Sequence, residues 1–142
     1  MHLSAQMVVD FHEKFGIQYD GPPRDISLRE ALFREMRQQE ETSEFVEARM
    51  RGDRTGQLDA IVDMIYVALG TAHLMGFKPE VIMEAFERVH EKNMQKELSH
   101  EGNPSKYGTI GVGRDIVKPP GWTPPDLSDL AYPEHNTQAD HV

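Results

Sequence analysis

The sequence predicts an all-α fold: a four-helix bundle with an extended Pro/Gly-rich C-terminal arm, completed by oligomerisation. Three observations predict it. Four consecutive segments place apolar residues at helical spacing, the first three of them closed by Gly16, Gly52 and Gly76. The third segment is apolar nearly all round, the pattern of a helix buried on most sides. Five of the nine prolines fall between residues 119 and 133, where no long helix can continue. The expected division is a helical domain over residues 1–98 and an arm of the same domain over 99–142, disordered after Tyr132.

The first helix spans residues 3–15, with Leu3, Met7, Phe11 and Phe15 in one stripe and Val8 beside it. His12 lies off that stripe and reads either as a surface or half-buried histidine or as a ligand. Phe11 and Phe15 are core residues by default, or one wall of a base pocket. The paired prolines Pro22-Pro23 break the helical pattern, and Ser27 with Glu30 has the spacing of a capping box.

The second helix is expected from about Leu28 to Met50, ending at Gly52, with Leu28, Leu32, Phe33, Met36, Val46 and Met50 on one broad face. Glu40, Glu44 and Glu47 fall on or beside that face. Within Glu40-Glu41-Thr42-Ser43-Glu44 three carboxylates in one turn repel each other, so the run is either a solvated face or the wall of a cation site. Acids that interrupt an apolar stripe favour the cation, because a buried carboxylate without a partner is expensive.

A third helix is expected from about Gln57 to Met75. Its polar exceptions, Asp59, Asp63, Tyr66, Gly70 and His73, advance by four, three, four and three residues and draw one narrow stripe. The two aspartates either face cations or bond helix termini or arginines of a partner subunit. Lys78 and Pro79 open the fourth helix, whose apolar stripe Ile82, Phe86 and Val89 continues onto Asn93 and Lys96. That end reads as a phosphate contact or as a frayed helix terminus with Lys96 in solvent.

Glu87-x-x-His90 and Glu97-x-x-His100 match the spacing of di-iron bundles, but both sit on one element, whereas such sites draw their pairs from facing helices. In the arm, Thr109-Ile110 and Ile116-Val117 suit a small hairpin or an extended segment, and no Gly-Lys-Ser/Thr follows the glycines, so a P-loop is not supported. The arm is expected to drape over the bundle or a neighbouring subunit, pinned by Trp122. Trp122 reads as an anchor or a base-stacking platform, and Lys118 as solvated or touching phosphate.

A chain of 142 residues with 38% hydrophobic content can bury a core without staples. It has no cysteine, which excludes thiolate metal sites and a cysteine nucleophile and leaves reducing cytoplasm as the default location. No basic n-region with a long apolar core opens the chain, and no apolar run approaches the roughly 20 residues of a membrane span. The formal charge of -9 argues against binding a nucleic-acid backbone, yet suits a small phosphorylated ligand held through divalent metal. The surplus of apolar helix surface predicts a homodimer or homotetramer.

Together, Glu40-Glu41-x-x-Glu44, Asp59-Ala60-Ile61-Val62-Asp63 and Val89-His90-x-x-Asn93-Met94-x-Lys96 resemble the all-α nucleoside triphosphate pyrophosphohydrolases, the MazG-like and phosphoribosyl-ATP pyrophosphohydrolase-like group. Phe11-His12-Glu13-Lys14-Phe15-Gly16 and the tail Val117-Lys118-Pro119-Pro120-Gly121-Trp122-x-Pro124-Pro125-Asp126-Leu127 are similar to phage-type members, so the likeness covers about residues 8–127. The resemblance implies a MazG-like bundle in which residues 1–98 are catalytic and two or three Mg²⁺ or Mn²⁺ ions are bound. Glu41, Glu44 and Asp63 match ligand positions, and Glu40 matches an outer ligand or base. The family's further glutamate falls at Ala60, and Asp59, on the same polar stripe as Asp63, is the expected substitute. The implied reaction is attack of water on the α-phosphate of a nucleoside triphosphate, with Glu40 as base and Lys96 steadying the departing pyrophosphate. Phe11, His12, Phe15, Tyr66, Asn93, Lys96, Lys118 and Trp122 are the expected substrate contacts. dGTP or GTP in phage nucleotide metabolism, in the host cytoplasm, is the preferred substrate expectation. The alternatives are a house-cleaning hydrolase of dUTP or non-standard nucleotides and a non-catalytic helical interaction module.

Overall fold

The computed structural model describes residues 2–108 and 114–135, with side chains from Ser4 onward. Four helices, α1 (His2–Lys14), α2 (Leu28–Met50), α3 (Arg54–Leu74) and α4 (Pro79–Asn93), precede two short strands, β1 (Glu97–Leu98) and β2 (Ile116–Val117), and a one-turn helix, α5 (Ser128–Ala131). The chain forms two compact units, residues 1–83 and 84–142, and the boundary lies within α4. Among the described residues no single helix is long and apolar enough to cross a membrane.

Local chemistry sets the helix ends. The Ser27 hydroxyl accepts from the Glu30 amide at 3.1 Å, one half of the capping box. Helix α3 starts three residues earlier than the apolar spacing suggests, because Asp53 is its N-cap and accepts from the Gly56 amide at 2.9 Å. Gly52 turns the chain into that cap at a φ of 71°, a region that favours glycine. At the other end, Arg24 donates its amide to the Met75 carbonyl at 2.9 Å and its Nε to the Leu74 carbonyl at 3.1 Å. A cation on the last carbonyls of α3 complements the negative end of the helix dipole.

Helices α2 and α3 form an antiparallel hairpin. Arg34 meets Thr71, Gln38 meets the Met64 carbonyl, and Ala48 lies close to Gly56. The residues that α2 turns away from solvent are Arg34, Gln38, Glu41, Phe45 and Ala48, spaced four, three, four and three. Gly56, Ala60, Asp63, Val67 and Gly70 answer them from α3 with the same spacing. Small residues bring the backbones close, and the polar members bond across the gap.

This seam corrects the expectation that the apolar stripe of α2 faces inward. Leu28, Leu32, Phe33, Met36, Val46 and Met50 are all exposed, from 52% for Phe33 and Val46 to 81% for Met50. Helix α3, expected to be buried on most sides, likewise leaves Leu58, Ile61, Val62 and Ile65 open. The physical reason is that a hairpin has one contact line, and the 4-3-4-3 row of small and hydrogen-bonding residues occupies it.

Helix α1 shows the same correction. Among its described side chains the buried ones are Ala5, Val8 and His12, while Met7, Phe11 and Phe15 of the expected stripe are exposed; the Leu3 side chain lies outside the described residues. Ala5 and Val8 pack on Leu69 of α3, with Tyr66 and Ile82 against them, and this is the core of the first unit.

In the second unit, β1 pairs antiparallel with β2, Glu97 opposite Val117 and Leu98 opposite Ile116. Ile116-Val117 is therefore a strand, but its partner is Glu97-Leu98; Thr109-Ile110 lies outside the described residues. The arm folds back on α4: the Trp122 indole donates to the Lys92 carbonyl at 2.8 Å, and Arg88 forms a bidentate pair with Asp129 at 2.6 and 3.0 Å. Pro133–His135 form a 3₁₀ turn in which the His135 ring stacks on Tyr132; residues 136–142, where disorder is expected, lie outside the described residues.

Candidate functional site

The α2–α3 seam places carboxylates at its centre. Glu41 is 8% exposed, and its Oε2 is buried with no hydrogen-bond partner. Burial pushes its carboxyl above the ordinary range, and the neighbouring charges of Glu44, Asp63 and Glu40 push it the same way. Glu44, one turn on, is also within hydrogen-bonding reach of it. Glu40 is half exposed and pairs with Arg37 at 3.6 Å. Asp59 is exposed and is not one of the carboxylates acting on Glu41. Ala60 is 2% exposed, so the position where a glutamate would stand on this seam holds a buried methyl group.

An orphaned, buried carboxylate oxygen crowded by like charges is the signature of a site that lacks its counter-charge. The donors are hard oxygens, the chemistry of Mg²⁺ and Mn²⁺. Among the described residues no three such donors are already gathered at ligand spacing. On charge and donor type the residues fit a divalent cation, with Glu41 as the most committed donor.

Farther along α3 the stripe changes from acidic to aromatic. Phe11 stands edge-on to Tyr66 at 5.5 Å and to Phe15 at 4.9 Å, and His12 lies edge-on to Phe11 at 5.7 Å. The structure thus brings together Phe11 and His12 of α1, Phe15 of the turn that follows it, and Tyr66 of α3. His12 is buried rather than at the surface; its Nδ1 donates to the Val8 carbonyl at 2.8 Å, and its ring lies 4.7 Å from that of His73.

His73 Nε2 accepts from the Tyr19 amide at 3.1 Å, which requires that nitrogen to be unprotonated. Burial, with the neighbouring His12, pushes the His73 imidazole below the usual histidine range, against Asp20 and Glu13. Arg34 sits beside the pair, donating to the Thr71 hydroxyl at 2.9 Å and to the Val67 carbonyl at 2.6 Å. A Cβ on Gly70 would come within 2.7 Å of its Nη2 and 3.2 Å of His12 Cε1, so glycine is what lets these groups meet.

In the second unit, Asn93 is the last residue of α4 and is exposed. Lys96 does not continue the helical stripe; a turn, Lys96 amide to Asn93 carbonyl at 3.1 Å, takes it off the helix before β1. The ammonium groups of Lys96 and Lys118 each lie 5.1 Å from the centroid of the Trp122 ring. Trp122 is therefore an anchor through its N–H and a cation platform through its face. Glu97 and His100 bond each other at 3.0 Å, which settles that Glu-x-x-His pair as a local contact.

Arg34 and Gln38 were not legible as site residues from apolar periodicity. The signal that finds them is their register with Glu41: positions 34, 38, 41, 45 and 48 repeat the 4-3-4-3 spacing already visible on α3.

A family model described as phosphoribosyl-ATP pyrophosphohydrolase matches residues 8–93, more than half of the chain. No curated protein matches it.

Proposed function

Because the chain belongs to the phosphoribosyl-ATP pyrophosphohydrolase family, within the MazG-like superfamily, we propose that it is a divalent-metal-dependent nucleoside triphosphate pyrophosphohydrolase. Its products would be a nucleoside monophosphate and pyrophosphate, with dGTP or GTP as preferred substrate in the nucleotide metabolism of a phage-infected cell's cytoplasm. The single observation that carries the metal-dependent part is the buried, unpartnered Glu41 Oε2 among Glu44, Asp63 and Glu40.

In this reading Glu41, Glu44 and Asp63 hold Mg²⁺ or Mn²⁺, with Glu40 or Asp59 as outer donors. The bound ions supply positive charge for phosphate oxygens and acidify water. Glu40 is exposed, and its pairing with Arg37 is a weak surface contact, so its carboxylate is available to accept a proton. It takes that proton from the water that attacks the α-phosphorus. A new P–O bond forms as the bond to the α,β-bridging oxygen breaks, and that oxygen leaves with pyrophosphate. Lys96 and Asn93 provide a charge and an amide suited to the leaving group. Phe11, Phe15 and Tyr66 offer rings for stacking a base, and buried His12 lies beside them with its ring 4.7 Å from that of His73 on α3. The chain is taken to work as a homodimer or homotetramer.

Incubation with each ribo- and deoxyribonucleoside triphosphate and with phosphoribosyl-ATP, in Mg²⁺ or Mn²⁺, tests the reading. Monophosphate and pyrophosphate in equal amounts, lost on chelation, are expected, fastest with dGTP or GTP. No monophosphate from any substrate, or orthophosphate in place of pyrophosphate, overturns it.

A further inference from the structure

The chain carries a net charge of -9, yet three of its lysines, Lys96, Lys106 and Lys118, line one cavity of ≈ 400 Å³ in the second unit. Gathering three ammonium groups is unfavourable unless something holds them or an anion answers them. Aromatic faces hold them: Lys96 and Lys118 over Trp122, and Lys106 at 5.0 Å from the Tyr107 ring centroid. A ring steadies a cation without cancelling its charge, so the cavity stays positive. Among the described residues no carboxylate lies within ion-pair distance of these three ammonium groups. The one acid in the lining, Asp115, accepts from the Ser105 hydroxyl at 2.7 Å and from the Ile116 amide at 2.8 Å and faces the charge of Lys106, so it answers at most one of the three cations and leaves the cavity net positive.

The frame is pre-built. The Asn103 side-chain amide donates both to Glu97 of β1 and to the Lys118 carbonyl just after β2, at 3.0 and 2.8 Å, which ties the two sides of the cavity together. We propose that this cavity is an anion site for a linear phosphate chain, the di- or triphosphate of a nucleotide, with Lys106 as a binding residue alongside Lys96 and Lys118. The choice of a phosphate chain over other anions rests on the reading of the protein as a pyrophosphohydrolase. Three separate cations match the several charges of a chain better than the charge of a single orthophosphate.

Trp122 is the only tryptophan, so its fluorescence reports directly on the lysines that lie over it. The full-length protein is titrated with inorganic tripolyphosphate and pyrophosphate in excess EDTA, where the bare carboxylates of α2 and α3 repel anions. Saturable quenching or enhancement is expected, at least tenfold tighter than with orthophosphate and weakening as salt is raised. Lys106→Glu, at an exposed loop position, should weaken tripolyphosphate about tenfold with an unchanged circular dichroism spectrum, and Lys106→Ala by a smaller factor. No saturable binding, equal binding of orthophosphate, tighter binding of a single-stranded oligonucleotide, or indifference to Lys106→Glu overturns the site. The two readings fail separately. Tripolyphosphate binding without release of monophosphate from any nucleotide leaves the anion site and removes the enzyme, whereas hydrolysis with no tripolyphosphate binding does the reverse.

Discussion

Glu41 concentrates the chemistry of this chain in one side chain. Its raised carboxyl pKa means that the folded state keeps the proton to higher pH than the unfolded chain does. The metal-free protein is therefore stabilised as pH falls toward the ordinary carboxylate range, and that stabilisation is lost as pH rises through the raised value. Glu41→Gln removes the buried charge and should raise the stability of the metal-free protein at neutral pH by roughly 1–3 kcal/mol. It should also abolish the stabilisation by Mn²⁺, both read by urea denaturation with and without metal. Asp63 acts on Glu41 and Asp59 does not, so Asp63→Asn should cost the larger loss of turnover, about tenfold or more beyond Asp59→Asn. Equal losses in a monophosphate-release assay would restore Asp59 to the inner set.

At the scale of elements, the governing feature is the seam of small and polar residues between α2 and α3, continued by the contact of α1 with α3. Alanine in a helix interior is normally worth up to about 1 kcal/mol over glycine. At Gly70 the sign should reverse. The added methyl meets Arg34 and His12, displaces an arginine held by Val67 and Thr71, and should cost about 1–2 kcal/mol net in denaturant unfolding. The His73–Tyr19 bond sets a second pH dependence. A histidine with a lowered folded-state pKa contributes stability that is present above its unfolded value, about 6.5, and is lost as pH falls through the lowered one. Glu41 and His73 thus pull in opposite directions on acidification. As pH falls below about 6.5, Glu41→Gln should unmask a falling unfolding midpoint, and adding His73→Gln should flatten it.

For the whole molecule, the decisive observation is the amount of apolar side chain left open on α2 and α3, from Leu28 to Met50 and from Leu58 to Ile65. Monomers rarely expose contiguous apolar patches of more than a few hundred Å². Light scattering at micromolar concentration should give a dimer or a tetramer, and Phe33→Glu with Met36→Glu should shift it toward monomer. A monomer throughout would contradict the expectation.

The sequence by itself determined the number and order of the four long helices and most of their ends, because these depend on local chemistry: glycine stops, proline breaks, the Ser27 cap and periods of three to four residues; the start of α3 at the Asp53 cap and the one-turn α5 were not read from it. The pattern itself drew attention to Glu40, Glu44 and Glu47 on α2 and to Asp59 and Asp63 on α3, whereas the grouping of Glu41, Glu44 and Asp63 came from the family resemblance; in the structure Glu44 and Asp63 are among the charges that act on Glu41. Only the tertiary structure decided which face of each helix meets its neighbour. Periodicity reports that a helix has an apolar side, not that another helix of the same chain covers it, and here close approach through Ala48, Gly56, Ala60 and Gly70 gave that place to the polar row. The burial of His12, the role of Arg34 and the gathering of Lys96, Lys106 and Lys118 were invisible for the same reason. Each depends on residues distant in sequence being brought within a few ångströms, which no local spacing encodes.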